Sequence, residues 1–350
     1  MEVEDFVRQS HVLVVLGKGG VGKTTVTAAL ALAAARAGVD VLVVALDDSG
    51  DLPALFGRAE PFGYDEVVLH EGVPGRVRAR VLTSRAALLE YLDDHGLRRV
   101  SRRLADSGVL EVIATAIPGI EEVLVLGKVK QIERERQAEL VVIDAPATGH
   151  ALSFLTSPTG LADAARGGPL RQQAEQVLEL IGDASRCQAV LVALPEETPV
   201  NELIETAYQL EDRVGVALGP VVVNGCYPDL DGLDVDPIAA ARAAGAPPPT
   251  PEEAQQLIRA ARFRLARHRA QQEQLERLSA KLPLAQLRLP YLFEEALGPE
   301  AVGRLADVLA ASVRGLDVAG SDARPCPDGS VATQHPDVLD DEPPIKGTSA

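Results

Sequence analysis

The strongest constraint on this chain is a glycine-rich segment, residues 17–25, with the sequence Gly-Lys-Gly-Gly-Val-Gly-Lys-Thr-Thr. An apolar run over residues 12–16 precedes it, and an alanine-rich helical pattern over residues 24–37 follows it. A Gly-x-x-x-x-Gly-Lys-Thr pattern between a strand and a helix is typical of a phosphate-binding loop. Glycines let backbone N–H groups turn toward phosphate oxygens without a Cβ clash, and the helix N-terminus adds positive potential. The sequence therefore predicts a nucleotide site here.

Individual roles follow from this pattern. We assign the Lys23 ammonium to the β and γ phosphates of ATP, and the Thr24 hydroxyl to Mg²⁺. The predicted nucleotide-binding residues of the loop are Gly17, Gly19, Gly20, Val21, Gly22, Lys23, Thr24 and Thr25.

Lys18 is a second lysine at a position that an ordinary phosphate-binding loop leaves open. The loop resembles the deviant loop of the MinD, ParA, ArsA and nitrogenase iron-protein class. That resemblance implies that Lys18 reaches across a dimer interface to the phosphates bound by the partner, much as an arginine finger does. The alternative is a solvated lysine on a surface loop.

Short apolar runs alternate with longer helical patterns along the chain. Runs rich in Val and Leu with little polar alternation are typical of parallel strands that are covered on both faces. We predict strands over residues 12–16, 41–46, 140–143, 189–194, 220–223 and 284–289, and a capped helix from Thr250 to about residue 281. The predicted fold class is α/β, a doubly wound, mostly parallel sheet of the P-loop NTPase class (SIMIBI type) with a helical insertion lobe.

Two carboxylates follow predicted strands at their C-terminal ends, where a doubly wound sheet presents its ligands. Asp144 ends the run Leu-Val-Val-Ile-Asp and is predicted to hold Mg²⁺ together with Thr24. Asp47, next to Asp48, is predicted to orient or deprotonate the attacking water, so that the catalytic set is Lys18, Lys23 and Asp47. Either carboxylate could instead cap a helix.

Changes in the residue pattern along the chain predict its domain organisation. Residues 1–315 are predicted to form one ATPase domain, with a helical insertion at about 83–137. Residues 316–350 are rich in Asp, Pro, Gly and Ser and are predicted to form a disordered acidic tail.

The composition of the chain limits which binding partners are expected. The formal charge of −17 over 350 residues argues against nucleic acid, whose binding depends on Lys and Arg. The acidic N-terminal sequence lacks the basic start of a secretory signal, and a cytoplasmic location is expected. Cys187, Cys226 and Cys326 form no Cys-x-x-Cys pair, so no zinc site is expected within the chain.

Four segments resemble one family, the ArsA ATPases, which includes the arsenite-pump ATPases and the ATPases that target tail-anchored proteins. Residues 144–152 read Asp-Ala-Pro-Ala-Thr-Gly-His-Ala-Leu and resemble the family's switch II, although residues 145–147 differ from it. Residues 118–122 resemble its Pro-Gly-x-x-Glu stretch. Residues 221–224 resemble a strand ending in an adenine-recognising asparagine, and residues 290–298 resemble its adenine loop. The resemblance implies that Asn224, Pro290 and Leu292 contact the base, and it runs from residue 12 to about 310.

This resemblance implies a single-domain bacterial member that binds ATP and Mg²⁺ and hydrolyses ATP as a nucleotide-sandwich dimer. The dimer is either a homodimer or a heterodimer with a paralogous ArsA-like subunit. Its cycle would open and close a helical lobe for a client or partner, such as a membrane protein, in chaperone or transport work. An apolar groove within residues 83–137 could take an apolar helix, or those residues could only pack the lobe.

Departures from the family keep alternatives open. No cysteine precedes Cys187, so no arsenite site is expected. Switch I reads Asp-Asp-Ser-Gly at residues 47–50 where the family has Asp-Pro-Ala-His, so a weakly active regulatory partner subunit is one alternative. A positioning ATPase of the MinD/ParA type is another, although it needs a basic DNA face or a C-terminal amphipathic membrane helix.

Overall fold

A computed structural model describes residues 2–46, 51–72, 74–94, 96, 98–99 and 118–320. Its centre is one sheet of nine strands in the order β3-β4-β2-β5-β1-β6-β8-β9, with β7 paired to β6. The strands are β1 Val12–Gly17, β2 Val41–Ala45, β3 Val67–Glu71, β4 Arg76–Val81, β5 Leu140–Asp144, β6 Cys187–Ala193, β7 Ala217–Leu218, β8 Val221–Cys226 and β9 Gln286–Pro290. All pairings are parallel except that of β3 with β4.

The helices lie on both sides of this sheet, which confirms the predicted α/β fold class. They are α1 Val3–Val7, α2 Lys23–Arg36, α3 Asp51–Leu55, α4 Ser84–Asp94, α5 Ile120–Arg134, α6 Thr148–Ala164, α7 Pro169–Gly182, α8 Glu197–Gln209, α9 Pro237–Ala243, α10 Pro251–Lys281 and α11 Pro299–Gly320. No described helix combines the length and the apolar character needed to cross a bilayer.

Two apolar cores flank the sheet because its central strands are buried on both faces. Along β1, Leu13 and Val15 face the core formed with α2 and α11, whereas Val14 and Leu16 face the core formed with α5, α6, α7, α8 and α10. Strands that are buried on both sides need apolar residues at every position, and this explains the continuous runs seen in the sequence.

All six predicted strands are present, with bounds shifted by up to three residues. Three strands, β3, β4 and β7, were not predicted. In β4, Arg76, Arg78 and Arg80 alternate with apolar residues. The sequence therefore lacks the continuous apolar run of the other buried strands, although β4 pairs with a strand on each side. Arg78 is accommodated by ion pairs with Asp40 and Glu66, so the charged positions lie beside carboxylates that are distant in sequence.

The predicted capped helix is confirmed in α10. The Thr250 hydroxyl accepts a hydrogen bond from the Glu253 N–H, and the Glu253 carboxylate accepts one from the Thr250 N–H. This reciprocal pair satisfies donors that have no partner within the first turn of the helix.

The predicted helical insertion is helical in its described parts, α4 and α5. The apolar side chains of α5 are buried: Val129 and Ile132 lie in the core against the sheet, and Val123 packs with residues of α6 and α7. The remaining part of the predicted insertion lies outside the described residues. At the C-terminus, α11 continues to Gly320, past the expected boundary at residue 315, and the rest of the predicted tail lies outside the described residues.

Candidate nucleotide-binding site

The loop between β1 and α2 has the backbone of an anion cradle. Gly20 and Gly22 have φ angles of 84° and 86°, a region that other residues rarely adopt. At Gly17 a Cβ atom would lie 2.4 Å from the Val192 carbonyl oxygen of β6, so only glycine fits between the two strands. Successive N–H groups in such a turn form a concave surface for anions, and α2 begins directly after it, at Lys23.

A cleft of about 450 Å³ opens over this loop. Gly20, Gly22, Lys23, Thr24 and Thr25 line one side of it. The other side is formed by residues that the sequence did not single out: Asp51, Ala54 and Leu55 of α3, and Leu297. The structure thus places five of the predicted loop residues around one cavity. Gly19 is exposed beside it, while Gly17 and Val21 are buried beneath the loop.

Thr24 and Asp144, the two predicted metal ligands, are in direct contact. The Thr24 hydroxyl donates to the Asp144 carboxylate over 2.7 Å, and the Thr27 hydroxyl donates to the other carboxylate oxygen over 3.3 Å. The contact arises because β5 pairs with β1, which brings the C-terminal end of β5 next to the loop. Thr27 was missed, although its place one turn after Thr24 is a signal that the sequence offered.

The two loop lysines have different surroundings. The Lys23 ammonium donates to the Lys18 carbonyl oxygen over 3.4 Å and stays at the cleft. The Lys18 ammonium forms a 2.6 Å ion pair with Glu202 of α8. Both side chains of this pair are about 40% exposed, at 42% for Lys18 and 38% for Glu202. Nothing in the sequence pattern indicated Glu202, because the two residues are 184 positions apart.

Asn224, predicted to recognise the base, contacts the loop itself. Its side-chain amide donates to the Val21 carbonyl oxygen over 3.0 Å. A Cβ atom on Gly22 would lie 2.4 Å from the same amide nitrogen. The end of β8 therefore holds the phosphate-binding loop directly from the side.

The predicted adenine loop begins where β9 ends, at Pro290. Leu292 packs against the core on the α2 side, and Leu297 lines the cleft, so this loop reaches the candidate site through Leu297. Beside it, the rings of Tyr291 and Phe293 lie 4.7 Å apart and contact Tyr227, which follows β8. The Arg264 guanidinium lies 4.0 Å from the centre of the Tyr227 ring, so the ends of β8 and β9 carry an aromatic cluster.

The remaining predicted residues are the switch I aspartates and the cysteines. Asp47 and Asp48 lie outside the described residues, and Asp51, four positions after Asp47, begins α3 at the cleft. Cys187 is fully buried in β6 and Cys226 is half-buried at the end of β8. Burial raises the pKa of the Cys187 thiol to about 12 and that of Cys226 to about 11, so both are protonated and unreactive at neutral pH.

Comparison with known proteins finds sequence similarity to one family of ATPases. Residues 10–166 match the family model for anion-transporting ATPases, the ArsA ATPases. The ATPase BagA of Mycobacterium tuberculosis is 34% identical over 222 residues, which cover 61% of this chain and 64% of that protein. The arsenical pump-driving ATPase of Escherichia coli is 31% identical over 233 residues, 63% of this chain and 36% of that protein. The ATPase get3 of Schizosaccharomyces japonicus is 31% identical over 172 residues, 46% of this chain and 51% of that protein. The chain therefore spans less than two thirds of each of these relatives.

Proposed function

Because the chain is a member of the ArsA-type P-loop ATPase family, we propose that it binds ATP at residues 17–25 and hydrolyses it with Mg²⁺ to ADP and phosphate. The observation that carries this proposal is the 2.7 Å contact between Thr24 and Asp144, beside a glycine cradle and the Lys23 ammonium. Such an arrangement combines phosphate binding with metal binding at one point.

The residues present suit Mg²⁺. Mg²⁺ prefers hard oxygen ligands and is commonly held by one or two protein side chains together with substrate phosphates and water. Thr24 supplies a hydroxyl oxygen and Asp144 a carboxylate, and the latter accepts from two hydroxyls, Thr24 and Thr27. When bound, the ion would neutralise charge on the phosphate oxygens; Thr24 and Asp144 would hold it.

The chain's own groups have separate tasks in this proposal. The backbone N–H groups at Gly20 and Gly22 bind and orient the phosphates, because their left-handed conformations turn the loop around the anion. The Lys23 ammonium stabilises negative charge that develops as the terminal phosphoryl group leaves. Asp47 is proposed to hold the attacking water in line.

We further propose that two chains sandwich the nucleotide, with Lys18 of each acting on the phosphates of the other. Lys18 now binds Glu202 of its own chain, and a half-exposed ion pair of this kind costs at most about 1 kcal/mol to break. A phosphate group offers Lys18 more charge than one carboxylate, so exchange between these partners is feasible.

Movement of the helical side of the domain is the final part of the proposal. α6 begins four residues after Asp144 and packs against both α5 and α7. A change in what Asp144 binds would therefore act on three packed helices, one of which, α5, belongs to the insertion lobe, and we propose that this movement opens and closes the lobe around a client or partner in transport or targeting work.

The direct test is ATP hydrolysis by the purified full chain with and without Mg²⁺. Lys23→Ala should lower phosphate release by about 100-fold or more, because it removes a charge placed on the reacting phosphates. Lys281→Ala, at the exposed end of α10, is the matched control and should leave turnover unchanged. Equal turnover of Lys23→Ala and wild type would refute the site.

A further inference from the structure

A second cavity lies away from the phosphate-binding loop, between α4, α5 and α7. Its volume is about 690 Å³, in the range of pockets that hold metabolite-sized ligands. Three cationic side chains line it, Lys128, Lys130 and Arg134, against a single carboxylate, Glu135. An excess of positive charge in a concave site stands out in a chain whose formal charge is −17.

Lys130 is the unusual group of this cavity. It is 9% exposed, and its ammonium donates to two neutral acceptors of α7, the amide oxygens of Gln173 at 3.0 Å and Gln176 at 2.6 Å. No described carboxylate forms an ion pair with it. Buried lysines are ordinarily paired with an acid, because an ammonium loses its hydration on burial.

The neighbouring charged groups add to the excess of positive charge around Lys130. Glu90 of α4 pairs with Lys128 over 2.6 Å, so that carboxylate already has a cationic partner. Arg134 lies one turn after Lys130 on α5, is exposed, and makes no ion pair within the described residues. Burial lowers the pKa of Lys130, and the nearby Arg134 and Arg186 lower it further, with Glu179 as the opposing charge.

We propose that this cavity is a binding site for a small organic anion, a metabolite with a phosphate or carboxylate head group. Lys130 and Arg134 hold the anionic head, and the α7 glutamines, which present both amide donors and acceptors, bind the polar body. α7 begins at Pro169 on the cavity wall, so the N-terminal end of this 14-residue helix, with its partial positive charge, also borders the site. Because α5 and α7 both pack against α6, a bound anion would be sensed by the helix that follows Asp144.

Calorimetric titration of the full chain with inorganic phosphate and, separately, with citrate tests this site, in the absence of nucleotide. At least one probe should bind, and Arg134→Gln and Lys130→Met should each weaken that binding by about 10-fold, the loss expected for one charge-assisted hydrogen bond. Binding of phosphate alone assigns a phosphate head group, and binding of citrate alone a carboxylate. Arg134 is exposed, so its variant keeps the test valid if Lys130→Met does not fold.

Two controls separate this cavity from the phosphate-binding loop. Arg262→Gln, on the exposed side of α10, should not change the affinity for the probe. Lys23→Ala should remove any binding at the loop and leave the Arg134-dependent binding in place. The proposal is overturned if neither probe binds at millimolar concentration, or if the binding is the same in wild type, Arg134→Gln and Lys130→Met.

Discussion

Two lysine–glutamate pairs with the same 2.6 Å separation lie in very different parts of this molecule. Lys18 and Glu202, beside the phosphate-binding loop, are 42% and 38% exposed. Lys128 and Glu90, between α5 and α4, are 5% and 34% exposed, and Glu90 also accepts from the Tyr64 hydroxyl. Water can replace either partner in the first pair, whereas Lys128 has no comparable access to water. The first pair is therefore suited to exchange, and the second to holding helices together.

The largest difference expected from this comparison is in catalysis. Lys18→Ala should lower ATP hydrolysis by about 100-fold or more, because in our proposal it acts as a charge on the partner's phosphates, yet it should leave nucleotide binding nearly unchanged. Phosphate release and nucleotide titration measure the two effects. Lys128→Met should show the reverse pattern, with hydrolysis per folded molecule preserved and stability reduced.

Subunit mixing shows whether Lys18 acts within its own chain or across a dimer. Lys18→Ala and Asp47→Asn subunits are each expected to be inactive. Their mixture should regain activity, because one site in the mixed dimer keeps its own Asp47 and receives Lys18 from the partner. Absence of rescue at every mixing ratio would mean that Lys18 does not act across an interface.

The next effect is on stability, and the same substitution in both pairs makes it a matched test. Glu90→Gln should lower the free energy of unfolding by about 2–3 kcal/mol, somewhat less than for a fully buried pair, because Glu90 retains contact with solvent. Glu202→Gln should change it by less than about 1 kcal/mol. Urea unfolding of both variants measures the difference; equal losses would remove the distinction between the two pairs.

The smallest expected effect is on the acid dependence of stability. Burial alone would raise the pKa of Glu90, but hydrogen bonds from Lys128 and Tyr64 and the charges of Lys128 and Arg80 bring it below the ordinary value of 4.5. A depressed carboxyl pKa in the folded state contributes stability above pH 4.5, which is lost as the pH falls through the folded value. Glu90→Gln should therefore weaken the fall in stability between about pH 5 and pH 3. An identical pH profile in both proteins would show that the pair does not act this way.

The sequence was most informative where function depends on neighbouring residues. The loop at 17–25 and the capping box at Thr250 and Glu253 are local patterns, because adjacent backbone groups and side chains do the work. The central strands could also be predicted, because burial on both faces requires continuous apolar runs. Strand β4 was missed because its three arginines interrupt the apolar pattern, and only the folded chain brings them into ion pairs with Asp40 and Glu66.

The parts of the sites that depend on distant residues could not be predicted. The sequence marked Lys18 as an unusual loop lysine, but the partner that it has in the structure, Glu202, is 184 positions away. Leu297 reaches the cleft only through the path of the loop after β9. The cavity at Lys130 has no sequence signature at all, because α4, α5 and α7 supply its walls separately.

The contact between Thr24 and Asp144 is the centre of this account, and the Mg²⁺ dependence of ADP affinity tests it most directly. Wild-type protein should bind ADP more tightly with Mg²⁺ than with a chelator. Asp144→Asn should lose most of that gain, about 10-fold or more, while its affinity without metal stays close to that of wild type. A variant that keeps the full Mg²⁺-dependent gain would contradict the assignment of Asp144, and with it the proposed magnesium–nucleotide site.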